Sequence, residues 1–169
     1  IVFNNFLSAE LFTMKLLDKY CSNQKNKEPF CAHIQHIKRP IFQSQEAYET
    51  FKTFQKTKIS KYILVRGNTF IDKWCADFYQ SAFAYLLSVD VAKDYEIYIL
   101  GDTVAQLYIP MEVSKKIDFL YSGTKRIEDV KMPKVYTDIY EKKCNVQLLI
   151  YKNLEIAEQL RQKTLNHFS

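Results

Sequence analysis

The stretch that decides the fold runs from Lys61 to Gly101: Lys61-Tyr-Ile-Leu-Val-Arg-Gly-Asn-Thr-Phe-Ile-Asp-Lys-Trp-Cys-Ala-Asp-Phe-Tyr-Gln-Ser-Ala-Phe-Ala-Tyr-Leu-Leu-Ser-Val-Asp-Val-Ala-Lys-Asp-Tyr-Glu-Ile-Tyr-Ile-Leu-Gly101. Tyr62–Val65 and Glu96–Leu100 are short apolar runs, the pattern of strands buried on both faces. Between them, Thr69 followed three residues on by Asp72 makes a capping-box-like helix start, with the carboxylate well placed for the helix dipole. Ile71, Trp74, Cys75, Phe78, Ala82, Tyr85 and Leu86 then recur as one apolar stripe, which predicts a helix over 68–87. This strand–helix–strand unit predicts an α/β fold: a small three-layer structure with a mostly parallel sheet flanked by helices and joined by right-handed crossovers. Ile63, Val65, Ile97, Ile99, Leu148 and Ile150 are expected to lie buried in adjacent parallel strands.

Working outward, residues 8–21 have helical spacing at Leu7, Leu11, Met14 and Leu16 or Leu17, with Ser8 as the cap. Asn23–Pro29 is a polar break. Ala32-His-Ile-Gln-His-Ile37 alternates like a half-buried strand, and Pro40 argues for an edge or an end. Ser44 caps a short helix over 45–55, with Ala47, Tyr48, Phe51 and Phe54 on one side. Between Val104 and Val130, Gly123 and its polar neighbours suggest a loop between short elements. Pro133 sits at the first turn of a helix ending near Lys143. A third strand covers 145–151, and the tail Leu154–Phe168 has helical spacing. The whole reads as a single α/β domain over 1–169, with an N-terminal helix (about 8–21) and a loop-rich lead-in (22–60).

The 169 residues are enough for one self-sufficient core. Hydrophobic content of 47% with 25% charged residues excludes a disordered chain. Only three glycines are present, which argues against a Gly-rich phosphate loop. No apolar run approaches the ~20 residues that cross a bilayer. Nor is there a signal-peptide pattern, so the expected location is intracellular and cytoplasmic, or, on the family resemblance given below, peripheral to a membrane-bound complex. The chain opens on Ile1, as expected of a processed or partial product. A net charge of +5, with no run of five like charges, fits a solvated surface better than a nucleic-acid footprint. The separation of Cys21, Cys31, Cys75 and Cys144 suggests reduced, buried thiols.

Few residues offer chemistry. Cys31, His33 and His36, with Cys21, are metal-ligand types, but their spacing matches no common zinc pattern. On a strand, His33 and His36 would face opposite sides, so two histidines flanking a core Ile34 is the preferred reading. Arg66-Gly-Asn-Thr69 follows a strand and opens a helix, where α/β folds place ligands. With one glycine it matches neither a dinucleotide fingerprint nor a P-loop, and a tight connection is preferred. Leu100-Gly-Asp-Thr103 holds the same position after the second strand, which could bring Asp102 near Arg66. Trp74 is most simply core. Lys52, Lys56, Lys58 and Lys61 near Phe51 and Phe54 read as a solvated face rather than a base-stacking platform. No serine elbow, Cys–His pair or paired-carboxylate motif is present, so no catalytic residue, cofactor or metal ligand is assigned.

The order of elements resembles the central α/β domain of the gamma subunit, the central stalk of rotary ATP synthases. The resemblance covers about 61–165. It rests on the strand Lys61–Val65, a long helix over 68–87, the step Ile99-Leu100-Gly101, and the final run Val146-Gln-Leu-Leu-Ile-Tyr-Lys-Asn-Leu154 followed by Gln159. Arg66-Gly-Asn-Thr-Phe70 replaces the family's Ser-Asp-Arg-Gly-Leu-Cys-Gly run. The resemblance implies a non-catalytic rotor subunit transmitting torque through contacts with other subunits of an ATPase-like complex. It implies no direct nucleic-acid contact, no transmembrane segment, and membrane association only through partners. The alternative is a ligand-sensing or dimerisation domain of a bacterial transcription regulator, with the tail helix as dimerisation element. A third reading is a small enzyme using the Arg66/Asp102 edge.

Overall fold

The structure is a computed structural model that describes residues 1–23, 28–41 and 45–169. The chain forms an α/β fold: β1 (Val2–Phe3), α1 (Phe6–Cys21), β2 (Phe30–Ile34), α2 (Gln45–Gln55), β3 (Lys61–Val65), α3 (Phe70–Phe78), β4 (Ala84–Leu86), β5 (Tyr95–Leu100), β6 (Thr103–Tyr108), α4 (Met111–Gly123), a 3-10 turn, α5 (Met132–Val135) running into a π-helical turn (Tyr136–Tyr140), β7 (Val146–Lys152) and α6 (Leu154–Leu165). Among the described residues seven strands make one sheet in the order β1-β7-β6-β5-β2-β3-β4.

The sheet is mostly antiparallel, which corrects the parallel expectation. Only β2/β3 and β3/β4 run parallel; β5 pairs antiparallel to both β2 and β6, and β7 pairs antiparallel to β6 and β1. The cause lies at Gly101 and Asp102, a two-residue link between the paired residues Leu100 and Thr103. Gly101 has φ +62°, a left-handed conformation that costs glycine little and closes a hairpin. Thr103–Tyr108, to which the sequence reading gave no strand, is therefore the returning strand. β2 separates β3 from β5, so the two runs that opened the sequence reading are not neighbours. Ile63, Val65, Ile97, Ile99 and Leu148 are buried as expected, and Ile150 is half-buried.

The helix expected over 68–87 stops at Phe78. Phe83 lies in the core, stacked on Phe51 at 5.4 Å, and Ala84–Leu86 form the parallel edge strand beside β3. Aromatic residues packed at the sheet edge here imitate a helical period. α4 was not expected; Val113, Ile117 and Tyr121 recur every four residues and bury one face. α1 starts earlier than expected because Asn5, not Ser8, is the cap: its side chain accepts the Ser8 amide at 2.9 Å. α2 has its expected bounds, while its expected cap Ser44 lies outside the described residues. The stretch 22–60 holds both β2 and α2. Helices cover the two sheet faces unequally. α6 packs its buried Ala157 over Cys31, Ile97, Ile99 and Val104, while the larger cluster lies on the face carrying Ala32, Tyr98, Ala105 and Leu148.

That larger core contains charge. Lys38 contacts Glu96 of β5, Arg39 Nη2 lies 2.6 Å from Glu10 of α1, and the Tyr98 hydroxyl donates to Glu96 at 2.7 Å. Glu96 is fully buried, and Lys38 and Glu10 nearly so. Two cations and two carboxylates balance, which makes the burial tolerable. The group ties α1, the exit of β2 and β5 together. Glu96→Ala would leave Lys38 short of its main counter-charge, and a stability loss of about 3 kcal/mol is expected in urea unfolding. A loss near zero would show that the pairing is energetically idle.

Candidate ligand-binding site

The parallel strands β2 and β3 end side by side at Ile34 and Val65. Beyond them the chains stay paired: the Arg66 amide donates to Ile34 O at 3.0 Å and the Gly67 amide to Gln35 O at 2.7 Å. α3 starts immediately afterwards with the expected capping box. Thr69 Oγ1 accepts the Asp72 amide, and the Asp72 carboxylate accepts the Thr69 amide.

Asp72 does more than cap. With no exposed surface, its carboxylate accepts the Thr69 amide (3.0 Å), the Thr69 hydroxyl (2.8 Å), the Ile37 amide (3.0 Å) and His36 Nδ1 (3.0 Å). Burial alone pushes this carboxyl up, but the His36 hydrogen bond and charge, together with the Thr69 donors, hold it below the usual carboxylate value. Gly67 is the close neighbour that permits this knot, since a Cβ there would overlap the Asp72 carboxylate and the His36 ring. The other His36 nitrogen, Nε2, lies 3.1 Å from Asp118 Oδ1 on α4, and the ring packs on Tyr121 at 4.3 Å. Both imidazole nitrogens thus have carboxylate partners.

Over this knot opens a cavity of about 410 Å³, within the range of small-molecule sites. Its walls come from separate elements: Gln35 and His36 after β2, Arg66 and Gly67 after β3, Thr69 at the start of α3, Lys93 before β5, and Ser114, Asp118 and Ser122 from one stripe of α4. The lining is fixed by local bonds. Arg66 Nη1 donates to Val91 O at 3.1 Å, Gln35 Nε2 donates to Lys93 O, and the Ser114 hydroxyl donates to Gln35 Oε1 at 3.3 Å. Such a set can grip a polar molecule with donors and acceptors from several directions. It offers no nucleophile beside a free base.

The residues singled out from sequence fall in different places. His36 and Arg66 line the cavity, but Asp102 does not approach Arg66. β5 runs antiparallel to β2, so its end lies at the opposite edge of the sheet, where Asp102 sits 3.4 Å from Lys152. His33 is buried against Thr164 Oγ1 at 2.7 Å, and burial pushes its imidazole down to about 4. Cys31 packs under α6, and Cys21 belongs to the core on the other face. All four cysteines are unpaired and buried, and burial pushes the Cys21 and Cys75 thiols up to about 12 and Cys31 to about 11. Among the described residues no three potential metal ligands lie together. Trp74 is half-buried against Phe78 at 5.5 Å. Lys61, expected on a solvated face, is buried with its ammonium over the Phe54 ring. Asp118, Ser114 and Lys93 escaped the sequence reading, because only the tertiary packing of α4 and the loop before β5 carries them to the strand ends.

No protein-family model and no curated protein sequence matches the chain. A solved structure of TrmBL2, an archaeal chromatin protein with a novel mode of DNA binding, matches with a TM-score of 0.48 and 11% identity. The match covers 99% of this chain and 51% of that one, so the chain spans about half the length of the matched protein. That protein binds DNA, which stands against the expectation of no direct nucleic-acid contact; a likeness of this degree shows nothing of what the present chain binds. Among the described residues no helix is long and apolar enough to cross a membrane.

Asp72→Asn removes the charge from the knot, and a loss of about 2–3 kcal/mol is expected near neutral pH. Because the folded-state carboxyl titrates below its unfolded value of about 3.8, its stabilisation is complete above that value. It is lost as pH falls through the lower folded value. Urea unfolding should therefore show the gap between wild type and variant closing in strong acid. A gap independent of pH would contradict the charge-based account.

Proposed function

We propose that the chain is a non-catalytic ligand-sensing domain, the role a small α/β domain plays in transcription regulators, and that it binds a small polar molecule in the cavity where β2, β3, α3 and α4 meet. The observation that carries this reading is the convergence of polar side chains from five segments on one cavity, with both nitrogens of its histidine already engaged. A base must have a nitrogen free for the proton it takes. A binding site needs only fixed donors and acceptors, and those are present. α4 forms one wall, so a ligand bridging Arg66 or Gln35 to Ser114 would bias how that helix sits on the sheet.

The same reading calls for a surface through which binding is reported. Beside α6 the sheet face is uncovered at Val2, Tyr108 and Leu149, and α6 itself exposes Leu154 and Ile156. Adjoining apolar side chains of this kind suit self-association. No feature of the site favours the central-stalk reading, since the helix over 68–87 that its element order requires is a short helix followed by an edge strand.

The test is a nuclear magnetic resonance titration of the folded chain with a monosaccharide, a nucleoside monophosphate, an α-amino acid and inorganic phosphate. One of these is expected to saturate, with shifts confined to the amides of Gln35, Gly67, Ser114 and Ser122 and with no chemical conversion. Arg66→Gln should weaken it roughly tenfold, the worth of one charge-assisted hydrogen bond. Conversion of the compound, or no saturation by about 10 mM, would overturn the sensing reading.

A further inference from the structure

A second cavity lies away from the strand ends, between the outer face of α4 and the turn formed by α5 and the π-helical segment. It measures about 510 Å³. Its floor is apolar, built from Leu120, Val135 and Ile139, and Phe119, 80% exposed, stands at its side. Around it stand Lys115, Lys116, Lys131 and Lys134 against two carboxylates, Asp129 and Asp138. Asp129 is already neutralised by Arg126, at 2.9 Å and 3.3 Å. The rim is therefore cationic and the interior oily.

We infer that this groove is a binding site for a single-chain amphiphilic anion, an acyl chain lying on Leu120, Val135 and Ile139 with its carboxylate among the rim lysines. Two physical arguments select this occupant. The charge of the rim is complementary to an anionic head group; Lys116 is held by the Asp138 carbonyl at 3.2 Å, and the ammonium groups of Lys115, Lys131 and Lys134 suit a head that needs no fixed geometry. The floor residues Leu120, Val135 and Ile139 lie on helical turns, so their backbone donors and acceptors are largely spent within those turns. An extended peptide laid on them would leave its own amides short of partners, at the cost of burying unsatisfied polar groups. An acyl chain carries no such groups. The exposed Phe119 is then the side chain that closes over the chain and gains most from its arrival. Gly123, at the end of α4, has nothing within 4 Å of where a Cβ would stand, which leaves the groove open at that side. The π-helical turn at Tyr136–Tyr140, a distortion that recurs at functional sites, supplies Asp138 and Ile139 to the lining. This site is independent of the polar cavity, and α4 is the element the two share.

The experiment is isothermal titration calorimetry of the folded chain with sodium dodecanoate below its micellar range, with dodecyl maltoside as the uncharged comparison. One saturable site is expected for dodecanoate. Phe119→Ser, at an exposed position that leaves the fold unstressed, should weaken binding at least about tenfold. Lys131→Glu with Lys134→Glu should weaken it roughly tenfold, whereas the charge-matched pair Lys152→Glu with Lys163→Glu should stay within about twofold. Absence of saturable binding by wild type overturns the proposal. So does equal weakening by both charge-reversal pairs, which would mark non-specific attraction, or equal binding of dodecyl maltoside, which would remove the anionic head from the account.

Discussion

One buried carboxylate organises the end of the sheet where β2 and β3 leave it. Asp72 accepts hydrogen bonds from Thr69, Ile37 and His36, so it joins the start of α3 to the chain leaving β2. Stranding a carboxylate in a core is costly, and only a full set of donors makes it stable. Here that set includes the helix cap, so the requirement that stabilises α3 also fixes where His36 points. From His36 the connection continues to Asp118 on α4, and α4 in turn supplies one wall of the cavity. Gly67 belongs to the same constraint, because no larger residue fits between the carboxylate and the imidazole.

The mixed sheet explains why the polar cavity lies at one edge only. In a parallel sheet every strand would end at the same side, and Asp102 would join Arg66 there. The Gly101 hairpin sends β6 back and places Asp102 at the far edge. At the near edge β6 ends as well and leads into α4, and there the parallel pair β2 and β3 end beside the start of α3 and one face of α4. The buried pairs of Lys38 with Glu96 and Arg39 with Glu10 lie just past the same β2 exit. They hold the 35–39 segment from the core side, as Asp72 holds it from the α3 side. The cavity is therefore built on a segment anchored twice.

Local signals were legible in the sequence where the chemistry is local. The Thr69/Asp72 capping box, the buried runs at 62–65 and 96–100, the helix over 45–55, and the terminal helix and strand were all readable from neighbouring residues. Strand direction was not, because a continuous apolar run carries no sign of its partner's orientation. The Gly-Asp pair at 101–102, followed by the apolar run through Leu107, was the available signal for a hairpin. The edge strand 84–86 was hidden because its aromatic residues fall at helical spacing. Of the cavity, His36 and Arg66 could be flagged as residue types, but Lys93, Ser114 and Asp118 are ordinary surface residues until tertiary packing brings them together. The buried charge group of Glu10, Lys38 and Glu96 was not legible either, since each is tolerable inside only beside the others.

The central claim, that the Asp72 carboxylate holds the β2 exit and the α3 start as one unit, is tested most directly by native-state hydrogen exchange at the Ile37 and Thr69 amides. Both donate to Asp72, so in the wild type both should exchange slowly and with the same opening free energy. In Asp72→Ala both should become fast together, while the amides of β5 and β6 keep their protection. Fast exchange of either amide in the wild type, or unchanged protection in the variant, would contradict the account.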